Sequence, residues 1–320
     1  MLASSRPYGP VIRPGWPGKI RGAVVLQAAG QWPYWAQFWR DWDWATIART
    51  IDNLASVGVN CLQLTATGLA DNGVAHPDVP TMRARIRQLA GYSAGKQMLL
   101  NPQFGYQPAH SFAGGAAAAT AAAAAMAGLF AEQANIGFFD ALNEVNFYPA
   151  PGWSGPNAQC LSDMTTFVSG IRAVAGAIPV SVSVGCSVAA DITGAWMQGM
   201  APLSDFHNLH TYYYGSVSGA PSAANFAGLR VTSWYLGRFV VGETGMPSGN
   251  GSVAQTAWLA GNGSVAGGGD CLGSILWGAT DTSAAPGRGE NVSGFGMMDT
   301  SAMTLRSPLA VAVQGWPGGL

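Results

Sequence analysis

Charge is scarce in this chain. Asp, Glu, Lys and Arg together make up 10% of the 320 residues, and 15 basic side chains stand against 16 acidic ones. Without a basic stripe or face there is no electrostatic footprint for nucleic acid or anionic lipid, so neither is expected as a partner. Cysteine is sparse too. Cys61, Cys160, Cys186 and Cys271 lie far apart, with no C-x-x-C pair and no short spacing to a histidine. That pattern predicts buried free thiols, and neither a metal nor a cofactor is expected. Residues 1–20 lack a continuous apolar run behind a basic start and instead carry Pro10, Pro14 and Pro17. No secretory signal is read there, and the expectation is a cytoplasmic or virion-associated protein with reduced thiols. In that setting the N-x-Ser triplets at Asn250, Asn262 and Asn291 are chance matches. The uncharged stretch from Phe112 to Ala131 is mostly alanine and glycine. It is too weakly hydrophobic for a membrane span and well suited to a soluble helix.

What the chain does have is apolar residues, 48% of the total, enough for a sizeable core. Its length fits one α/β barrel of about 250 residues plus insertions, so a single domain over 1–320 is expected, with a Pro/Gly-rich N-terminal extension over about 1–20. Short β-rich runs alternate with helical stretches. The strands read as 23–27, 59–65, 97–101, 137–143, 180–185, 206–212, 239–243 and 274–278. The helices read as 44–56, 81–90, 114–133, 161–175, 189–200, 222–236, 252–261 and 309–314, and the glycine-rich run from Gly261 to Gly269 reads as a loop. A doubly wound open sheet fits the same alternation, but eight units at thirty-odd residues each favour a closed (β/α)8 TIM barrel.

Only four glutamates occur, and two of them, Glu144 and Glu243, end predicted strands. In a barrel the C-terminal strand ends carry the catalytic groups, because the βα loops form the open face there. About three βα units separate the two, which places them on the fourth and seventh strands. A lone glutamate at a strand end usually caps the strand or pairs with an arginine. Two at the same rim are the pair that glycosidic cleavage needs, one to protonate the leaving oxygen and one to attack or to activate water.

Other constellations compete. Gly91-Tyr-Ser93-Ala-Gly95 matches the G-x-S-x-G elbow of α/β-hydrolases, but Ser93 is expected in a helix-to-strand loop on the opposite face, which disfavours a serine esterase using Ser93 with His207 or His210. Those two histidines point to opposite faces of a strand and cannot share a metal. The segment from Trp32 to Trp44 holds five tryptophans near helical spacing. It reads as a face packed on the barrel or on a partner subunit, or else as a sugar-stacking wall, with Trp153, Phe104 and Tyr106 as further stacking candidates.

At the level of motifs the chain resembles the clan of retaining (β/α)8 glycoside hydrolases that includes cellulases and β-mannanases. Leu142-Asn143-Glu144 is similar to the clan's Asn-Glu at the end of the fourth strand, and Val241-Gly242-Glu243-Thr244-Gly245 to the nucleophile motif of the seventh. His210-Thr-Tyr212 resembles the His-x-Tyr of the sixth strand, and Ser274-Ile-Leu-Trp277 the eighth, whose tryptophan floors the reacting sugar's subsite. Gly296-Met-Met-Asp299 looks like the lead-in to the final helix. The resemblance implies Glu144 as acid/base, Glu243 as nucleophile, and Asn143, His210, Tyr212, Trp277, Trp153 and Gln63 at the substrate. The chain departs from the clan in Gln63-Leu-Thr65, where many members carry an arginine, and in Leu100-Asn-Pro-Gln103, where cellulase-like members carry a histidine.

The reading that follows is a metal-free retaining glycosidase acting on a neutral poly- or oligosaccharide. The alternative is a carbohydrate-binding or structural component of a homo-oligomer or larger assembly, joined through the Trp32–Trp44 segment. The Ala/Gly-rich composition suggests a high-GC source such as an actinobacterium or its phage, where a tail-borne glycosidase needs no signal.

Overall fold

The computed structural model describes residues 18–25, 35–65, 76–106, 111–112, 114–146, 158–186, 192–212, 226–246, 252–278, 305 and 307–316. In chain order the elements are β1 (Ile20–Val25), α1 (Trp35–Arg40), α2 (Trp44–Ser56), β2 (Cys61–Thr65), α3 (Val79–Gly95), β3 (Leu99–Gly105), α4 (Ala116–Ala131), β4 (Phe139–Leu142), α5 (Ala158–Ala175) and β5 (Val180–Ser181). They continue with β6 (Ser183–Gly185), α6 (Ala195–Met200), β7 (His207–Tyr212), α7 (Ala227–Arg230), β8 (Phe239–Gly245), α8 (Ser252–Ala266), β9 (Cys271–Leu276) and α9 (Ser307–Gln314).

All strand pairings are parallel, in the order β5-β4-β3-β2-β1-β9-β8-β7-β6. The two ends of that order are consecutive pieces of one strand, separated only by Val182. Its first half pairs with β4 and its second with β7, so the strand changes partners midway and closes the ring. At the switch the Val182 amide leaves the ladder and donates to Ser204 Oγ at 3.0 Å. Nine strand segments therefore make eight barrel strands, and the fold is a (β/α)8 barrel.

Helix ends follow local chemistry. Asp43 caps α2 by accepting from the Thr46 amide at 3.2 Å, and Asp78 caps α3 by accepting from Thr81 at 2.8 Å. The alanine-rich α4 lies so close to α5 that a Cβ on Gly170 would stand 2.3 Å from Thr120 Cγ2. Among the described residues no helix is long and apolar enough to cross a membrane. All four cysteines are buried free thiols.

Several predicted boundaries move. The first strand starts earlier, at Ile20, inside the expected extension, and the rest of that extension lies outside the described residues, as does Gly296–Asp299. The third strand runs through Pro102 to Gly105. Of the helix expected over 222–236, residues 222–225 lie outside the described residues, and the remainder holds a single turn, Ala227–Arg230. Helix α8 continues through Gly261 to Gly263, read from sequence as a loop, because packing overrides the low helix propensity of glycine. There Asn262 is fully buried and donates to Thr244 Oγ1 at 2.9 Å, and Gly263 lies against Trp316, where a Cβ would stand 2.9 Å from Cδ1. Helix α3 likewise extends to Gly95, so Ser93 sits buried inside its last turn and not in a loop. No strand-to-helix elbow exists at Ser93, and the helix leads into the N-terminal end of β3.

The core has two parts. A large layer between sheet and helices holds most of the apolar side chains. Inside the ring a smaller plug of Ile20, Val24, Cys61, Phe138, Phe206, Val240 and Ile275 fills the N-terminal end, with Phe138 and Phe206 edge to face at 5.0 Å. The described tryptophans of the Trp32–Trp44 segment belong to the outer layer. Trp39 is buried, Trp42 stacks on it at 5.6 Å, and Trp44 stacks on Trp42 at 5.9 Å. Trp42 Nε1 donates to Gln88 of α3 at 3.2 Å. These three rings seal α1 and α2 onto α3 and are not a sugar wall. Trp32 and the side chain of Trp35 lie outside the described residues, and so does Trp153.

Candidate active site

Above the apolar plug the interior turns polar, and two backbone irregularities aim the glutamates into it. In β8, Leu209 pairs with Val241 but His210 pairs with Glu243, so Gly242 is an extra residue, a β-bulge. Val240 faces the inner plug and Val241 the outer core. Strict alternation would then turn Glu243 outward. The bulge reverses the phase, so that Glu243 points into the ring while Thr244 points out to Trp258 and Asn262 of α8, both at 2.9 Å. Gly242 is required there, since a Cβ would stand 1.8 Å from Asn208 Oδ1.

The second irregularity is Glu144 itself, which adopts φ +41°, a left-handed conformation that costs a non-glycine residue about 1–3 kcal/mol. It lets the adjacent Asn143 and Glu144 both face the interior. Neighbouring groups hold it in place: the Glu144 amide donates to Ser183 Oγ at 3.1 Å, and Ser183 Oγ donates to Leu142 O at 3.0 Å. Asn146 clamps Gly185 with two bonds of 2.7 and 2.8 Å.

The side chains converge on Glu243. Its Oε1 accepts from Gln63 Nε2 at 3.1 Å and its Oε2 from the Tyr212 hydroxyl at 2.8 Å. His210 Nδ1 lies 3.2 Å from Glu243 Oε2 and 3.3 Å from Glu144 Oε1. One carboxylate oxygen of each glutamate and a ring nitrogen of His210 all lie within 4.8 Å of one another. The two glutamates differ in access to water, with side chains 15% exposed at Glu144 and 4% at Glu243.

Electrostatics follow from this burial. Burial disfavours a charged His210, but the Glu243 and Glu144 carboxylates outweigh it and push the imidazole up to about 10, so it is cationic at neutral pH. Burial raises Glu243 above the ordinary carboxylate range, while the His210 charge and the Tyr212 hydroxyl pull it back. Below them, burial pushes Asp140 up to about 7, opposed by His210 and Gln103. Two carboxylates and an imidazole are also a donor set that a divalent cation accepts. Here Gln63, Tyr212 and a cationic His210 already engage the oxygens.

Of the residues expected at the substrate, Asn143, His210, Tyr212, Trp277 and Gln63 are gathered at this rim. Gln63 and His210 are buried, with their polar ends on the glutamates. Trp277 is half-buried, edge to face with Tyr212 at 6.4 Å. Phe104, a stacking candidate, instead faces outward into the core against Phe130 and Phe139. His207 points away from His210, stacked on Tyr235 at 5.5 Å, with burial lowering its pKa to about 4. The sequence reading missed Gln103, Asp140 and Ser183. Their signal is polarity at alternate positions in strands covered on both faces, where apolar runs are the norm.

With this geometry in place, comparison with known proteins adds the following. No family model matches the chain, and no curated protein matches it. Solved structures do. The fold is shared with glycoside hydrolases. GH5_18 from Streptomyces cattleya, in complex with GlcNAc, superposes with a TM-score of 0.69 at 13% identity over 93% of this chain and 80% of that one. An exo-β-1,4-mannosidase from Opitutaceae bacterium strain TAV5 gives 0.68 at 17% identity over 92% and 58%. A family 5 xyloglucanase from Paenibacillus pabuli gives 0.61 at 13% over 95% and 99%. At these identities the likeness is one of fold.

Proposed function

We propose that this chain is a retaining glycoside hydrolase, one barrel domain acting on a neutral poly- or oligosaccharide. The observation that carries the reading is the convergence of Glu144 and Glu243 at the C-terminal rim, with carboxylate oxygens within 4.8 Å, the close spacing that double displacement requires. The difference in exposure supports the division of roles. Glu144, open to water, exchanges its proton each cycle. Glu243, sealed and held by three donors, is aimed as a nucleophile. Glu243 attacks the anomeric carbon as Glu144 protonates the departing oxygen, giving a glycosyl ester. Glu144 then takes a proton from water, which attacks the same carbon and releases Glu243. Asn143 and Trp277 flank the sugar, Asn143 offering an amide donor to its 2-hydroxyl and Trp277 an apolar ring face. Among the described residues the only cation at the rim is His210, already committed to the glutamates, which favours an uncharged sugar. The named substrates of the mannosidase and xyloglucanase fit that class.

Substituting Glu144 by Ala tests the assignment. Turnover of a 4-nitrophenyl glycoside should fall by about a hundredfold or more, and azide should restore it with a glycosyl azide of retained configuration as product. No rescue and no product would favour a non-catalytic carbohydrate-binding barrel. Activity abolished by a chelator would favour a metal at the same three side chains.

A further inference from the structure

The Asn143 amide is not free to choose which end faces the sugar. Its Oδ1 accepts from Gln103 Nε2 at 2.9 Å, and the same nitrogen donates to Asp140 Oδ2, also at 2.9 Å. Gln103 is 1% exposed, Asp140 0% and Asn143 6%, so water does not compete. The chain of bonds has a direction. Burial pushes Asp140 up to about 7, and above that pH its carboxylate only accepts, so it can face only the NH2 end of Gln103. That NH2 has two hydrogens, and the second fixes the Asn143 oxygen. An amide carries its oxygen and nitrogen on opposite sides, so Asn143 Nδ2 is turned away from Gln103 toward the rim. The backbone N–H of Asn143 in turn donates to the carbonyls of Gly105 at 3.1 Å and Tyr106 at 3.0 Å, which fixes the backbone from which the side chain projects. Nothing else in this chain of contacts distinguishes the two ends of the Asn143 side chain.

We propose that Gln103, held by Asp140, is a positioning residue that sets the polarity of the Asn143 amide, so that a donor and not an acceptor meets the sugar at C2. The proposal rests on the glycosidase reading for its substrate, but the polarity itself belongs to the folded chain. Replacing Asp140 by Asn removes the directing charge, since the new amide can donate as well as accept. Gln103 and Asn143 can then both turn over and present a carbonyl to the substrate.

The test uses the full chain at pH 8, where Asp140 is ionised, with 4-nitrophenyl β-D-glucoside, the β-D-mannoside and their common 2-deoxy analogue. Gln103→Leu and Asp140→Asn should each lower kcat/KM on the 2-hydroxy glycosides by about tenfold or more, as expected when a donor to developing charge is misplaced. They should change the 2-deoxy rate by less than about threefold, within the range of a neutral hydrogen bond. Gln103→Leu should add nothing in an Asn143→Ala background. Equal losses on both kinds of substrate, or additive losses with Asn143→Ala, would overturn the proposal and show a merely structural role. If the wild-type chain turns over none of these glycosides, these sugars are not its substrates, and side-chain amide exchange by NMR decides the polarity. Slow exchange at the Gln103 NH2 and fast exchange at the Asn143 NH2, lost in Asp140→Asn, supports the proposal. The reverse pattern refutes it.

Discussion

The two ends of the barrel interior are built on opposite principles. At the N-terminal end Ile20, Val24, Phe138, Phe206, Val240 and Ile275 bury apolar surface, each worth about 2–3 kcal/mol, and none carries chemistry. At the C-terminal end Gln63, Gln103, Asp140, His210 and Glu243 are equally buried but polar. There burial raises Glu243 and Asp140, while the two glutamates keep His210 charged against its own burial. The lower layer stabilises the ring, and the upper one draws on that stability to hold a left-handed Glu144 and a bulged Gly242. The comparison teaches that similar burial marks a structural layer where side chains are apolar and a functional one where they are polar and mutually bonded.

Substitutions in the two layers should therefore separate stability from activity. Glu243→Gln is expected to lower kcat roughly ten-thousand-fold, with a smaller loss of stability than Phe138→Ala, since the amide is nearly isosteric and His210 keeps Glu144 as a counter-ion. Phe138→Ala should do the opposite. It should cost about 3–5 kcal/mol in denaturant unfolding, while the fraction that stays folded keeps its kcat. If Phe138→Ala lowered kcat per folded molecule as strongly as stability, the two layers would not be separable. Gly242→Ala lies at the boundary. With Asn208 Oδ1 in the way of its Cβ, the strand must shift, at a cost of about 1–3 kcal/mol, and Glu243 shifts with it, so both readouts should fall.

The upper layer should also carry a pH dependence. His210 is held at about 10 in the fold against 6.5 in the unfolded chain. The folded state binds this proton more tightly, so its contribution to stability is complete below about pH 6.5 and is lost as the pH rises through about 10. Thermal melts should therefore fall from pH 7 to pH 10, and the fall should shrink in His210→Gln. An unchanged slope in that variant would remove His210 as the counter-ion of the upper layer.

Much of this arrangement was legible in the sequence. Eight βα units implied a barrel, and glutamates closing the fourth and seventh strands implied a shared rim, because parallel connectivity puts every strand's C-terminal end on one face. What stayed hidden were departures from periodicity. Alternation from Val240 turns Glu243 to the helices, and only a bulge at Gly242, which depends on Asn208 from the neighbouring strand, turns it back. No local signal in Val-Val-Gly-Glu announces that. The extension of α8 through Gly261 to Gly263 was hidden for the same reason, since Trp316 lies far along the chain. The Trp42–Trp44 stack was legible as helical spacing, but its partners on α3 were not: Gln88, which accepts from Trp42, and Tyr92, edge to face with Trp44 at 5.3 Å. Gln103 looked like a departure from a family pattern and proved to be bonded to Asn143.

The central claim is that Glu243 is the nucleophile of the polar layer. Intact-mass spectrometry after exposure to a panel of 2-fluoroglycosides with activated leaving groups, followed by peptide mapping, tests it most directly. A single covalent glycosyl adduct on Glu243, absent in Glu243→Gln, is the predicted result, and it names the reacting sugar. An adduct on Glu144 or another residue, or no adduct from a panel whose members the enzyme demonstrably hydrolyses, would contradict it.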